Sequence, residues 1–183
     1  MSRAIGMIEY MTVSTGMAAS DLMMKTAEVD IIEAQTVCPG KYIIIVQGQL
    51  SAVSAAVEAA KHQYPKHFID SFVLGNPHES IFAAIYGTTD IKKIRALGIL
   101  ETFSVASMIV AADEAAKSAE VELIELRLAR GMCGKSYMFL TGEVSAVEAS
   151  IERAKRAIQD GAMMLDSTVI ANPDEKLCRT MLS

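Results

Sequence analysis

The chain contains two similar halves, and this internal duplication limits its possible folds more than any other feature of the sequence. The run AIGMIE at residues 4–9 returns as ALGILE at residues 96–101, at an offset of 92. The offset is 94 between the Gly-Lys pairs at 40–41 and 134–135, and it is 96 near the end of each half. The chain is therefore two copies of one domain, and each step in the offset marks a loop that is two residues longer in the second copy.

Each copy is predicted to form an α+β domain with the element order βαββαβ, a variant of the ferredoxin-like fold. We place the first domain at residues 1–89 and the second at residues 94–183. Ser51 and Ser145 are the predicted N-caps of the second helix in each copy, and Ser145 with Glu148 matches the S-x-x-E capping box. β-branched runs predict the strands, and apolar residues at helical spacing predict the helices. The predicted strands are 5–10, 29–36, 42–47 and 68–74, then 97–102, 121–128, 137–141 and 165–171, with first helices at 16–27 and 105–119.

Composition and charge argue against several classes of protein. Hydrophobic residues make up 51% and charged residues 21% of the chain, which is not the composition of a disordered protein. No apolar run approaches the roughly 20 residues of a membrane span, and the first residues do not resemble a secretory signal. The net charge of -5, without a basic cluster, argues against nucleic acid as a partner. Three cysteines without a CxxC pair favour a reduced compartment, so we expect a soluble cytoplasmic protein.

No catalytic group of residues is predicted, so the sequence does not indicate an enzyme. Residues 129–136 resemble a loose phosphate-binding P-loop, but that loop needs a helix directly after its Lys-Ser pair. The residues that follow here predict a strand, and a turn between two strands explains the Gly-Lys pair better. His62, His67 and His78 lack metal-ligand spacing and an acidic partner at a suitable interval. No Ser-His-Asp or Cys-His arrangement is shared by both copies.

Several of the repeated motifs resemble one known family, the bacterial microcompartment shell proteins of the tandem-domain type. The matching residues include the AIGMIE run, the D-x-x-x-K-x-A-x-V pattern at residues 21–29 and the Gly40-Lys41 turn, and they recur in the second copy. The resemblance covers nearly the whole chain and implies the unpermuted order of elements. It also implies a homotrimer whose six domains form a pseudohexagonal tile with a central pore for metabolites or electrons. Such tiles pack with other shell proteins, so the expected location is the shell of a bacterial microcompartment in the cytoplasm.

The resemblance also implies which residues lie at the tile edge and which line the pore. Lys25 and Lys117 match the edge lysine of the family; from the sequence alone, each could equally lie on a solvated helix face, paired with the aspartate four residues earlier. The family's arginine near the final Pro-His pair is absent, with Asn76 and Asn172 before the prolines. One step in the offset falls just before the pore turn, so the six turns cannot be equivalent and we predict a threefold axis. The predicted pore-lining residues are Val37, Cys38, Pro39, Gly40, Lys41, Gly131, Met132, Cys133, Gly134 and Lys135.

Some tandem members of this family carry an iron–sulfur cluster on the threefold axis, and the resemblance implies this cofactor as a candidate. The cysteine that each chain supplies aligns with Met108, whose thioether is a poor substitute for a thiolate ligand. Cys133 or Cys38, in the predicted pore turns, would then be the metal ligand; an inert or redox-responsive pore thiol is the alternative. A second function also stays open at this point, a small-molecule-binding regulatory trimer, because ferredoxin-like domains commonly bind small molecules at subunit junctions.

Overall fold

Two antiparallel β-sheets organise the chain in a computed structural model, which describes residues 3–159 and 163–181. The chain divides into two units. The first unit ends at Pro77 and also contains Arg130–Cys133, and the second contains His78–Ala129 and the residues from Gly134 onward. Within the described ranges, no helix is long and apolar enough to cross a membrane. The domain limits 1–89 and 94–183 remain a prediction.

The first unit has the predicted order of elements, with two helices on one face of a four-stranded sheet. The strands lie in the order β2-β3-β1-β4 and all neighbours are antiparallel. Apolar residues of both helices and of the facing side of the sheet form one core. The elements are β1 (Ala4–Tyr10), α1 (Val13–Thr26), β2 (Val29–Val37), β3 (Lys41–Gly48), α2 (Leu50–Gln63), a 3-10 turn (Pro65–His67) and β4 (Phe68–Gly75).

The second unit repeats this architecture, with the strand order β6-β7-β5-β8. The structure therefore confirms the predicted α+β fold of two βαββαβ copies. Two further helices, α3 and α6, each follow the last strand of a copy and were not predicted. α3 follows the first copy in the sequence but belongs to the second unit. The elements are α3 (Ser80–Tyr86), β5 (Ala96–Thr102), α4 (Val105–Ser118), β6 (Val121–Leu128), β7 (Ser136–Gly142), α5 (Val144–Ala157), β8 (Met164–Ile170) and α6 (Glu175–Met181).

The glycine of the repeated A-x-G run allows a helix to approach the central strand closely. A Cβ atom at Gly6 would lie 2.5 Å from Cγ1 of Val53 on α2. A Cβ atom at Gly98 would likewise lie 2.8 Å from Cγ1 of Val147 on α5. Both distances are shorter than any van der Waals contact between carbon atoms, so each copy requires glycine at this position.

The strand register shows where the first extra pair of residues lies. Thr36 pairs with Tyr42 in the first copy, and Leu128 pairs with Ser136 in the second. Five residues, 37–41, therefore lie between the first pair, whereas seven, 129–135, lie between the second. At the offset of 94, residues 131–135 match residues 37–41, so the two additional residues are Ala129 and Arg130. They lie just before the predicted pore turn, where the sequence placed the step.

The predicted caps of α2 and α5 are each wrong by two residues. Both helices begin before Ser51 and Ser145, with Gln49 and Glu143 as the N-cap residues. The capping box is therefore absent, because Ser145 already lies inside the first turn of its helix. A serine cap does occur at α4, where the Ser104 side chain accepts a hydrogen bond from a backbone N–H of the first turn.

Candidate functional site

The first predicted pore turn, residues 37–41, is a tight connection between β2 and β3. The Gly40 N–H donates to the Val37 carbonyl over 2.9 Å, and Gly40 adopts a φ of 102°, which favours glycine. The bond between Cys38 and Pro39 is cis. Cys38, Pro39 and Gly40 are exposed, whereas Val37 is buried. The turn thus presents three of its predicted pore residues to solvent and keeps Val37 in the chain interior.

The second predicted pore turn, Gly131–Lys135, lies in a longer connection, residues 129–135, which has a different backbone course. Its two glycines have positive φ, and so do Ala129 at 58° and Cys133 at 54°. The Ala129 N–H donates to Oγ of Ser136 over 3.2 Å, and both residues are buried. Cys133 is exposed and Met132 is half-buried. The chain enters strand β7 directly after the turn, which supports the strand-to-strand turn over the phosphate-binding loop.

The two turn cysteines are exposed but do not occupy equivalent positions. When the Gly-Lys pairs of the two turns are superposed in the sequence, Cys38 matches Met132 and Pro39 matches Cys133. Among the residues that the structure describes, no group of three His, Cys, Asp or Glu side chains within one chain could hold a metal ion. Met108 is fully buried in α4. Cys38 and Cys133 are therefore the accessible thiols of the predicted metal site, and Met108 is not accessible.

Each sheet carries a paired acid and base close to its predicted pore turn. Lys41 contacts Glu9 at 3.1 Å in the first unit. In the second unit, Arg127 donates to Glu125 through Nε at 2.9 Å and Nη2 at 2.5 Å, and the Tyr137 hydroxyl donates to the same carboxylate at 3.2 Å. The hydrogen bond to Glu125 raises the pKa of Arg127, and burial raises the pKa of Tyr137. The charges of Lys41 and Arg127 are thus compensated locally.

The two predicted tile-edge lysines have different surroundings in the single chain. Lys25 contacts Asp21 at 2.6 Å, and both side chains are more than half exposed. Lys117 contacts Asp113 at 2.7 Å, but the Asp113 side chain is only 4% exposed. The second oxygen of Asp113 accepts the backbone N–H of His78 over 2.7 Å. The predicted solvated pair therefore describes Lys25 in the single chain, and the corresponding aspartate of the second copy is buried.

The surface formed by α1 and β2 is exposed, whereas the matching surface of α4 and β6 is buried. We call the exposed residues Val13, Met17, Met24 and Ile31 the α1 face; their side chains share one stripe along α1 and the adjacent strand. These four side chains are between 39% and 55% exposed. Their counterparts in the second copy are at most 8% exposed; they are Val105, Ile109, Ala116 and Leu123. The duplication alone would predict equal burial of the two surfaces.

Helix α3 packs against β6 and α4 within the second unit. Its buried residues are Ile81, Phe82 and Ala84. The residues around it add polar contacts, from His78 to Asp113 and from the Thr89 hydroxyl to the Ile124 carbonyl over 2.8 Å. The sequence signal for this helix is the apolar run IFAAI at residues 81–85, directly after the Asn-Pro-His motif.

Comparisons with known proteins agree on one family. A family model described as the BMC domain matches the chain twice, at residues 4–77 and 96–173. The bacterial microcompartment shell protein PduT of Citrobacter freundii is 37% identical over 182 residues, which cover 100% of this chain and 99% of that protein. The crystal structure of a microcompartment protein from Desulfitobacterium hafniense DCB is 42% identical, with a TM-score of 0.94 over 98% of this chain and 99% of that one. A fused permuted hexameric shell protein from the RMM microcompartment has a TM-score of 0.60 at 20% identity over 86% and 82% of the two chains, a likeness of fold alone.

Proposed function

This chain belongs to the BMC-domain family of bacterial microcompartment shell proteins, and we propose that three copies of it form one tile of such a shell. Its role is structural, as a component of the microcompartment shell that assembles with other shell proteins. Homology to shell proteins does not favour the regulatory small-molecule-binding alternative. Because the related shell proteins are structural, we propose no catalytic activity for this chain.

The observation that carries the trimer is the presence of two unequal copies of one shell domain in a single chain. Three chains supply six similar domains, which is the number needed for a pseudohexagonal tile. Five residues separate Thr36 from Tyr42 in one copy, and seven separate the equivalent pair, Leu128 and Ser136, in the other. Neighbouring domains in such a ring therefore alternate, and the ring has threefold symmetry.

We propose that the two kinds of turn surround a central pore through which metabolites or electrons pass. The exposed backbone and side chains of residues 38–40, with Gly131 and Cys133 from the longer turn, support this assignment, since they extend beyond the ends of their strands into solvent. The acid–base pairs beside the turns compensate Lys41 and Arg127, so the polar backbone, the thiols and Lys135 are the main chemical features there.

Mass measurement in solution and electron microscopy test the proposed assembly. The purified chain is expected to have the mass of a trimer, about three times 19.7 kDa. Mixed with a hexameric shell protein, it should form sheets, tubes or closed shells. A stable monomer, or protein that stays dispersed under conditions in which the partner alone assembles, would contradict the proposed tile.

For the iron–sulfur prediction, the residues of this chain support only the turn thiols as ligands. Met108 is unsuitable because it is fully buried and its sulfur is a thioether. Cys38 and Cys133 are exposed, so a trimer would present three copies of each thiol. We propose one of these two residues as the ligand, to be tested by anaerobic reconstitution of the wild type and of Cys38→Ser and Cys133→Ser. Absence of bound iron and of visible absorption in the wild type would contradict a cluster and leave the thiols without that role.

A further inference from the structure

We infer that residues 172–181 of one chain, called here the C-terminal arm, dock on the α1 face of a neighbouring copy. The inference rests on the proposed assembly and specifies one of its contacts. The internal duplication supports it, because the equivalent contact is already made once within the chain. That equivalent contact is made by residues 76–86, called here the internal arm.

The internal arm is a docked segment with a buried apolar helix and a specific polar anchor. Within α3, Ile81 is 0% exposed. At the start of the arm, the His78 N–H donates to Asp113 on α4 over 2.7 Å. Ser80 lies against the His78 ring, with its hydroxyl 2.7 Å from Nδ1. The arm thus occupies the surface of β6 and α4 through one buried helix face and one backbone hydrogen bond.

The C-terminal arm repeats the sequence pattern and the local geometry of the internal arm. Both begin with Asn-Pro, and the offset of 96 matches His78 with Asp174 and Ile81 with Leu177. The backbone N–H two residues after His78 points to Nδ1 of its ring at 3.4 Å. The backbone N–H two residues after Asp174 points to its Oδ1 at 2.8 Å. The same short turn therefore starts both helices, although the side chains differ.

Within the described residues, the C-terminal arm is less buried in its own chain than the internal arm is. None of the residues of α6 is buried, and Leu177 is 43% exposed although its counterpart Ile81 is fully buried. Cys178 and Met181 are partly buried against an apolar cluster of the second unit. These contacts hold the arm to its own unit and leave Leu177 available to another surface.

The α1 face is left uncovered in the single chain, whereas α3 covers the equivalent surface of α4 and β6. Met17 is 55% exposed and its counterpart Ile109 is fully buried. Asp21 is 63% exposed at its side chain, and Asp113 is 4% exposed because the chain covers it and supplies the His78 N–H. An apolar stripe of this kind on a soluble chain indicates an interaction surface.

The duplication identifies the occupant of the α1 face as a second copy of this chain. The internal arm follows the first copy and docks on the second; by the same relation, the C-terminal arm follows the second copy and docks on the first copy of the next chain. The contact joins two different surfaces, so it is head to tail and closes into a ring when the rotation permits. The Asp174 N–H is expected to donate to Asp21 of the neighbour, as His78 donates to Asp113. This bond uses the backbone, so the change from His to Asp does not remove it.

The first experiment compares Leu177→Asp with the wild type by mass measurement in solution. The variant is expected to lose the trimer at concentrations at which the wild type is fully trimeric, while its circular dichroism stays that of a folded chain. Leu50→Asp is the matched control, because Leu50 is 50% exposed and lies on neither the arm nor the α1 face; it should remain trimeric. A trimeric Leu177→Asp variant would overturn the arm contact and leave the proposed tile intact. A monomeric wild type would overturn both.

A second experiment does not depend on a destabilising change. Asp21→Cys and Asp174→Cys are combined in a background in which Cys38, Cys133 and Cys178 are serine. Mild oxidation is expected to link neighbouring chains into covalent dimers and trimers, since a disulfide needs Cα atoms within about 7 Å. The matched internal pair, His78→Cys with Asp113→Cys, is expected to close within one chain without a change in mass. A trimeric protein whose first pair does not cross-link would contradict the docking of the arm.

Discussion

Replacing Gly16 by alanine is expected to destabilise the first unit, because α1 lies too close to Tyr42 of β3 at this residue to leave room for a Cβ atom. A Cβ atom at Gly16 would lie 2.3 Å from Cδ1 and 2.5 Å from Cβ of Tyr42. The duplication matches Gly16 with Met108 and Tyr42 with Ser136. Met108 and Ser136 are both fully buried. One copy thus combines a small helix residue with a large strand residue, and the other copy has the reverse combination.

The expected loss follows from two opposing effects. Overpacking of a core costs roughly 1–3 kcal/mol. The upper end applies here, because Cβ of Tyr42 cannot move aside by rotation of a flexible side-chain end. Alanine is better than glycine inside a helix by about 1 kcal/mol, which leaves a net loss of about 2 kcal/mol. For a chain of this size, that lowers the melting temperature by roughly 4–8 °C.

Thermal unfolding followed by circular dichroism measures this change, and a double variant tests the reasoning behind it. Gly16→Met with Tyr42→Ser transfers the second copy's combination to the first. Each single change should lower the free energy of unfolding, Gly16→Met by overpacking and Tyr42→Ser by leaving a cavity. The loss in the double variant should be smaller than the sum of the two single losses by about 1 kcal/mol or more. Gly75→Ala is the control, because its Cβ would approach no atom closer than 3.5 Å. An unchanged melting temperature in Gly16→Ala, or strictly additive effects in the double variant, would refute the size exchange.

Three further predictions concern charge and titration. Asp113→Ala is expected to lower the free energy of unfolding by roughly 1–3 kcal/mol, because the His78 N–H loses its buried acceptor. Asp21→Ala should change the free energy of unfolding of the separated chain by at most about 0.5 kcal/mol, and it should weaken the trimer. Equal losses for Asp113→Ala and Asp21→Ala in urea unfolding of the separated chains would contradict the difference in burial between the two aspartates. Burial raises the pKa of Tyr10 from 10.0 to about 12, so the unfolded chain releases this proton at lower pH than the folded chain. The stability that this group contributes is full below about pH 10 and falls as the pH rises to about 12; Tyr10→Phe should show a shallower loss over that interval, and parallel curves would contradict the shift. Lys25→Ala combined with Lys117→Ala should reduce the growth of tile sheets under the electron microscope without changing the trimer mass, whereas normal sheets would contradict the tile-edge assignment.

The sequence predicted the fold of each copy because the same pattern occurs twice. β6 was predicted at its observed limits, Val121–Leu128, and most other ends agree within one residue. The start of α5 was missed because a serine and a glutamate at the right spacing are a weak local preference, and the helix begins before them at Val144. Local patterns describe neighbours in the chain, so they locate elements better than they locate caps.

The surfaces against which α3 and α6 pack, after the last strand of each copy, could not be predicted from the sequence. α1 and α4 carry apolar residues at the same spacing, and nothing in that spacing tells which helix the chain itself covers. The difference in burial depends on α3, a helix of 7 residues whose apolar run is too short to predict its packing partner. From the sequence, the candidate site is predicted at the turns and the two lysines, whereas the α1 face is recognised only in the structure.

The two unequal turns of the proposed ring lead to a specific expectation for the thiols. In a ring of six identical chains, a substitution in the turn occurs six times. In a ring of three tandem chains, a substitution in one copy occurs three times and leaves the turn of the other copy unchanged. Cys38 and Cys133 differ in position within their turns by one residue relative to the shared Gly-Lys pair. Their two sets of three thiols would therefore lie at different positions along the pore axis. If reconstitution yields a cluster, one of the two serine variants should lose all its iron and the other should keep it; a partial loss of iron in both would contradict the separate sets.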